Sequence, residues 1–199
     1  MAPRRALPLV LALLASVLAA CATEQGTPRP VDKGAGASDA GTSTGTSTTS
    51  APTRPRELRF NGADPCTMLT QQQLQALGFT RPGSAGTDDL TGAPTCTWVV
   101  NGSAIQVIPV ATEGIAFWAD GKRLGRPTPI DPILGFPAIT VTLPARPLNC
   151  DVMVDTADGQ HLTATSTVVP GFEERFPEPC EGARMLAQDL VENLLRPGR

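Results

Sequence analysis

Apolar side chains are distributed unevenly along the 199 residues of the chain, and their pattern divides it into three parts. An uncharged apolar run extends from Ala6 to Ala20. Between positions 21 and 57, Val31 is the only large apolar side chain, so this part cannot bury enough apolar surface to fold. We therefore expect a leader at 1–20, a disordered tether at 21–57 and one folded domain at 58–199.

Within the domain, several segments alternate apolar and polar residues, as half-buried β-strands do. Asn101-Gly102 separates two of them and is a strong signal for a two-residue hairpin turn. A second turn is predicted at 157–160. In the strand after it, one face holds Leu162, Ala164, Ser166 and Val168, and the other holds His161, Thr163, Thr165 and Thr167. The stretches 81–94 and 120–131 are rich in Gly, Pro and Asp and predict loops.

Helices are predicted at both ends of the domain. Thr70 followed by Gln73 matches a capping box, and Gly78 suits the residue just after a short helix. Apolar residues recur at helical spacing after Pro179. The order of helix, hairpins and helix predicts an α+β domain, in which an antiparallel sheet of hairpins packs against an N-terminal short helix and a C-terminal helix. A further short helix is possible around 115–118.

The predicted leader has the features of a secretion signal. Arg4 and Arg5 precede an apolar run of 15 residues, which is short for a membrane span and has the layout of a secretory signal. The run ends in Leu18-Ala19-Ala20-Cys21, which matches the lipobox of bacterial lipoproteins. We expect lipidation of Cys21 and anchoring on the outer face of the cell membrane. An ordinary secretory signal with a chance cysteine is the alternative.

Charge narrows the choice of partners. Without Arg4 and Arg5, the chain holds 14 basic and 19 acidic residues. This excess of acid argues against nucleic-acid binding, which calls for a basic surface. It also gives no attraction to an anionic membrane, so a lipid anchor would have to hold the protein there.

Four cysteines remain in the domain, and an even number outside the cytoplasm predicts two disulfides. Three pairings are possible. We favour Cys66–Cys96 and Cys150–Cys180, because each closes a local loop of about 30 residues. Zinc is the competing use, but it calls for cysteines in close pairs, and these four are scattered singly.

The sequence offers few candidate catalytic residues. His161 is the only histidine, lies beside a predicted turn and has no marked nucleophile, so we interpret it as a surface residue. Asp88-Asp89 and Glu173-Glu174 suit solvated loops better than a catalytic carboxylate pair. Asp155 and Asp158 flank a predicted turn and could contact a cation, but the turn itself accounts for both residues. We expect no enzymatic activity, no cofactor and no metal site.

Large apolar residues in Gly- and Pro-rich segments can line a pocket or a partner surface. Phe117, Trp118 and Phe136 fit this description and are the candidate binding surface. The alternative is that they cap the edge of a small core.

Taken together, these motifs resemble those of an actinobacterial lipoprotein family of unknown function. The resemblance rests on the lipobox, the Ser/Thr-rich tether, Asp64-Pro65-Cys66, Leu77-Gly78-Phe79, Cys96-Thr97-Trp98 and the Gly-Phe-Pro-Ala step at 135–138. It implies a surface lipoprotein without implying an activity.

Two hypotheses of function follow. The first is a membrane-anchored binding or interaction module for a protein or another component of the cell envelope. The alternative is a carrier or sensor of a small apolar ligand such as a lipid, which would need a large apolar cavity.

Overall fold

A computed structural model of the protein describes residues 53–60 and 62–196. The predicted leader and Cys21 lie outside these residues, as does most of the predicted tether. The described part contains a seven-stranded antiparallel sheet and three α-helices. The strands are β1 (Ser84–Thr87), β2 (Pro94–Val100), β3 (Ser103–Val110), β4 (Arg126–Ile133), β5 (Phe136–Leu143), β6 (Arg146–Ala157) and β7 (Gln160–Val168). The helices are α1 (Gln71–Ala76), α2 (Ala116–Ala119) and α3 (Pro179–Leu195), with short 3-10 turns at Pro65–Thr67 and Glu173–Arg175. The α+β prediction is confirmed.

The strands lie in the order β1-β2-β3-β7-β6-β5-β4, so the last strand of the described part occupies the centre of the sheet. All neighbours except β3 and β7 are consecutive in sequence and form antiparallel hairpins. The predicted hairpins at Asn101-Gly102 and at 157–160 are confirmed as the turns between β2 and β3 and between β6 and β7.

Both edge strands were missed by the sequence pattern, which predicted loops at 81–94 and 120–131. All four residues of β1 are exposed, so burial imposes no alternation on them. In β4, Pro127 and Pro129 remove backbone donors. An edge strand tolerates this loss because one of its sides has no neighbouring strand.

The main core lies between one face of the sheet and helix α3. Alternate residues of β7, namely Leu162 and Ala164, are completely buried there beneath Leu186 and Leu190 of the helix. Gly182 permits this close packing, because a Cβ at that position would lie 2.7 Å from Ser166 Oγ. Helix α1 begins with the predicted capping box between Thr70 and Gln73.

Two disulfides join the elements, and the cysteines pair as predicted. Cys66–Cys96 attaches the turn at Pro65–Thr67 to β2. Cys150–Cys180 attaches β6 to the first turn of α3. Each bond closes a loop with a sequence separation of 30, which on the chain-entropy model stabilises the folded state by about 3–4 kcal/mol.

The end of the predicted tether contacts the domain at the turn between β6 and β7. Arg54 Nη1 lies 2.6 Å from Asp155 Oδ1, and its second nitrogen bonds to Asp158. The backbone then continues along the sheet, where Leu58 N donates to the Thr156 carbonyl at 2.8 Å. Within the described residues, no helix has both the length and the apolar character needed to cross a bilayer.

Candidate functional site

The face of the sheet opposite α3 carries a groove with a volume of about 510 Å³. We use "the groove" for this cavity over β3, β7, β6 and β5. Its floor follows β7, because side chains alternate between the two faces of a strand and the set not facing α3 points into it. That set is His161, Thr163, Thr165 and Thr167.

Apolar side chains flank this polar stripe on both sides. Ile108 and Val110 of β3 lie on one side, and Val141 and Met153 lie on the other. Trp118 of α2 packs against Met153 and Val141 and closes part of the wall. A polar floor between apolar walls is suited to a ligand that is itself amphipathic.

One polar row crosses the sheet at the middle of the groove. By strand register, Thr97, Gln106, Thr165 and Asp151 are successive neighbours on β2, β3, β7 and β6. Gln106 Nε2 donates to Thr97 Oγ1 at 3.0 Å, and Thr165 Oγ1 donates to Asp151 Oδ1 at 2.6 Å. The row therefore consists of two hydrogen-bonded pairs.

Asp151 is the acidic group of this row. Burial raises the pKa of its carboxyl, and the charge of Asp88 adds to the effect, whereas the Thr165 hydrogen bond and Arg146 oppose it. Among the residues that the structure describes, Asp151 forms no ion pair. The groove thus holds a carboxylate that no side chain of the described part neutralises by direct contact.

His161 was predicted to lie on the surface, and that prediction is wrong: only 1% of the residue is exposed. Its Nδ1 lies 2.9 Å from the carbonyl oxygen of Glu113. Since a carbonyl can only accept, Nδ1 carries the proton and Nε2 is left as an acceptor. Nε2 is buried without a hydrogen-bond partner in the described part of the chain. Burial lowers the pKa of His161, so the ring is neutral near pH 7.

The segment from Glu113 to Arg123 covers His161, which explains the failed prediction. Arg123 donates two hydrogen bonds to the buried Glu113 carboxylate. The ion pair closes the segment on itself and holds the Glu113 carbonyl within hydrogen-bonding distance of His161 Nδ1. A loop that folds back over the end of a strand leaves no mark in the local sequence of that strand.

The three residues of the predicted binding surface lie in different places. Trp118 is 9% exposed and lines the groove, with its Nε1 donor unpaired in the described part. Phe117, beside it on α2, is 43% exposed, and Lys122 Nζ lies 5.1 Å from its ring centroid. Phe136 is completely buried in the main core, on the α3 side of the sheet. A single surface made of all three is therefore wrong, because alternation along β5 directs Phe136 to the covered face.

The other acidic candidates have local structural partners. Asp88 accepts hydrogen bonds from the backbone N–H and hydroxyl of Thr91, which shapes the turn at the rim of the groove. Glu173 accepts from Gly171 N at 2.7 Å. Asp155 and Asp158 bind Arg54. In the described ranges, no three His, Cys, Asp or Glu side chains gather into a group that could hold a metal ion.

The key polar residues of the groove were only half visible in the sequence. Alternation along the chain predicts the Thr-rich face of β7, but nothing in the local sequence distinguishes Asp151 from other acidic residues. A partial signal existed, because polar residues at alternate positions mark one face of a strand as polar, and at the centre of a sheet such a face can line a cavity. That signal needed the strand order, which places β7 at the centre.

Comparison with known proteins places the chain in a family without pointing to a function. The family model described as a protein of unknown function, DUF3558, matches residues 16–193. No curated protein and no solved structure gives a significant match.

Proposed function

The chain belongs to the DUF3558 family, whose function is unknown, and for this member we propose a lipid-anchored binding protein that holds its ligand in the groove. The observation that carries the proposal is the groove itself, a cavity of about 510 Å³ with buried polar groups between apolar walls. Ligand sites in proteins fall in the range of about 300–1,000 Å³ and have this mixture of linings.

The polar groups of the groove are those of a recognition site. Asp151 and His161 Nε2 are acceptors, and Trp118 Nε1 is a donor. Leaving buried polar atoms unpaired disfavours folding, so a bound molecule that pairs with them would gain affinity. These groups can fix the position of a ligand.

Anchoring at the outer face of the membrane is the second half of the proposal. It rests on the lipobox that ends at Cys21 and on the apolar, uncharged run before it. Several acyl chains on one terminus hold a protein firmly at a bilayer, as a single chain does not. In the structure, Arg54 binds the turn between β6 and β7, so the chain from Cys21 would reach the domain at the end of the sheet that carries His161.

A carrier of a wholly apolar lipid is the second candidate, favoured by the apolar side chains on both sides of the groove. A wholly apolar ligand laid over the floor would, however, remove the partly exposed Asp151 carboxylate from water without offering it a donor. Because that desolvation is unfavourable, the groove suits an amphipathic ligand better.

Native mass spectrometry of the protein purified from membranes tests the groove. We expect a reproducible ligand mass on the unsubstituted chain and its loss in Thr163→Trp, whose ring would fill the centre of the groove. Met185→Trp is the matched control, because Met185 is an exposed residue of α3 on the other side of the sheet. A ligand that persists in Thr163→Trp, or no ligand in any preparation, contradicts the proposal.

The anchor has an independent test. Cys21→Ala should move the protein from the membrane fraction to the soluble fraction and abolish palmitate labelling. Thr27→Ala, in the same predicted tether, should change neither. Labelling that survives Cys21→Ala would show that the lipobox assignment is wrong.

A further inference from the structure

The carboxylate of Asp151, which forms no ion pair in the described part, indicates the chemical class of the ligand. The carboxylate belongs to the polar row in the middle of the groove floor, where Thr165 Oγ1 donates to its Oδ1 at 2.6 Å. Because the hydroxyl occupies one lone pair, the carboxylate is held in one orientation and keeps further acceptor positions. An oriented carboxylate of this kind is a ready partner for a positively charged donor.

The protein itself supplies no such donor in the described part. The basic residue that lines the groove, Arg146, forms no ion pair with Asp151. A second carboxylate, that of Asp88, lines the rim. The lining thus holds two acidic groups and one basic group, with His161 neutral, so its charge favours a cation.

A second observation lies further along the same strand. His161 is 1% exposed and lines the groove, and its Nε2 is a buried acceptor without a partner in the described residues. His161 and Thr165 are four positions apart on β7, which corresponds to about 13 Å along an extended strand. Between them lies the row of Ile108, Thr163 and Met153, whose two outer members are apolar. The groove thus offers one acceptor at its middle and another toward the His161 end, and the path between them is flanked by the apolar side chains of Ile108 and Met153.

From these placements we propose that the groove binds an elongated amphipathic amine, with its ammonium group on Asp151 and its apolar body directed along β7 toward His161. A hydroxyl or amide N–H at the far end of the ligand would donate to His161 Nε2. This inference rests on the proposed function, since it names the class of ligand that the groove takes.

Four matched probes test the proposal by calorimetry: octylamine, octan-1-ol, octanoate and 8-aminooctan-1-ol. The protein is the full chain carrying Cys21→Ala, at pH 7, where an alkylamine is protonated as lysine is. We expect octylamine to bind about tenfold more tightly than octan-1-ol, because a charge-assisted hydrogen bond replaces a neutral one. Octanoate should bind more weakly than either. The hydroxyl of 8-aminooctan-1-ol should add affinity that His161→Phe removes.

Variants locate the effect. Asp151→Asn should reduce octylamine affinity to that of octan-1-ol, whereas Asp89→Asn should leave it unchanged. Asp89→Asn is a matched control because it also removes one negative charge, and because Asp89 is exposed and lies next to Asp88. Circular dichroism checks the fold of each variant. If a variant does not fold, the comparison of the four probes on the chain with an unsubstituted groove still tests the proposal.

The outcomes separate the inference from the proposed function. If the probes bind in the groove without preference for the amine, or if Asp151→Asn retains the preference, the amine proposal is overturned and the groove remains a binding site. If none of the four probes binds, the result contradicts both proposals.

Discussion

The two faces of the sheet are made from alternate residues of the same strands, yet they have opposite characters. On β7, Leu162 and Ala164 are completely buried against α3, whereas Thr163 and Thr165 form the floor of the groove. Strand β6 shows the same division, because Val152 lies in the main core and its neighbour Asp151 lies in the groove.

The difference separates stability from recognition. The covered face gains its free energy from apolar burial, and Cys150–Cys180 attaches its helix covalently. The opposite face retains polar groups that a stable core would exclude: a carboxylate without an ion pair and an imidazole nitrogen without a partner in the described part. Substitutions on the first face should therefore have the larger effect on stability, whereas substitutions on the second should change binding and have smaller effects on stability.

The largest effect is expected from Leu186→Ala, on the covered face. Leu186 is completely buried, so its truncation leaves a cavity and should reduce the free energy of unfolding by about 2–5 kcal/mol. Urea unfolding measures the change. Leu124→Ala is the control at the groove, because Leu124 is 89% exposed and should shift stability by less than about 0.5 kcal/mol. Equal effects at the two positions would contradict the division between the faces.

A smaller effect is expected from His161 as pH falls. Burial lowers the pKa of His161 in the folded state, so below about pH 6.5 the unfolded chain binds a proton that the folded chain resists. The stabilising contribution is complete above that pH and decreases as pH falls below it, by about 1 kcal/mol at most at pH 5.5. Glu113, Asp155 and Arg123 are the charged groups that act on the ring.

Urea unfolding of the unsubstituted chain and of His161→Gln, at pH 7.5 and pH 5.5, measures this contribution. The loss of stability between the two pH values should be smaller in the variant, which cannot titrate at this position. An equal loss in both chains would mean that His161 does not resist protonation in the folded state.

The smallest effect is expected from Asp151→Asn, and it has the opposite sign. Burial raises the pKa of Asp151, so the folded state disfavours the charged form, and this unfavourable contribution appears as pH rises from about 3.8 through the folded-state pKa. At pH 7 the neutral amide should increase the free energy of unfolding by about 1 kcal/mol or less. Asp89→Asn should leave stability unchanged, and a destabilised Asp151→Asn chain would argue against a carboxylate retained for binding.

Much of the fold was predictable because burial leaves a periodic pattern. The Thr70 capping box, the hairpin at Asn101-Gly102 and the helix after Pro179 are local signals, and each lies where it was predicted. The edge strands β1 and β4 were not predicted, since exposed residues and prolines carry no alternation.

The groove was less accessible to sequence reasoning. Phe117, Trp118 and Phe136 share a large size and Gly- and Pro-rich surroundings, which predict one surface, but the structure places Phe136 in the main core and Trp118 in the groove wall. Asp151 and His161 acquire their environments from strands and loops distant in sequence, such as Thr165 and the Glu113 carbonyl.

By itself, the sequence determined the class of the fold and the alternation that separates the two faces of β7, and it favoured one of three possible pairings of the four domain cysteines, which the structure confirms. These features depend on residue type and on spacing along the chain, which local physical chemistry governs. Only the tertiary structure decided that β7 lies at the centre of the sheet, that the segment after Glu113 buries His161, and that Asp151 lies in the groove without an ion pair in the described residues. Those features depend on which distant segments meet, and the energy of such contacts is not encoded in any single stretch of the chain.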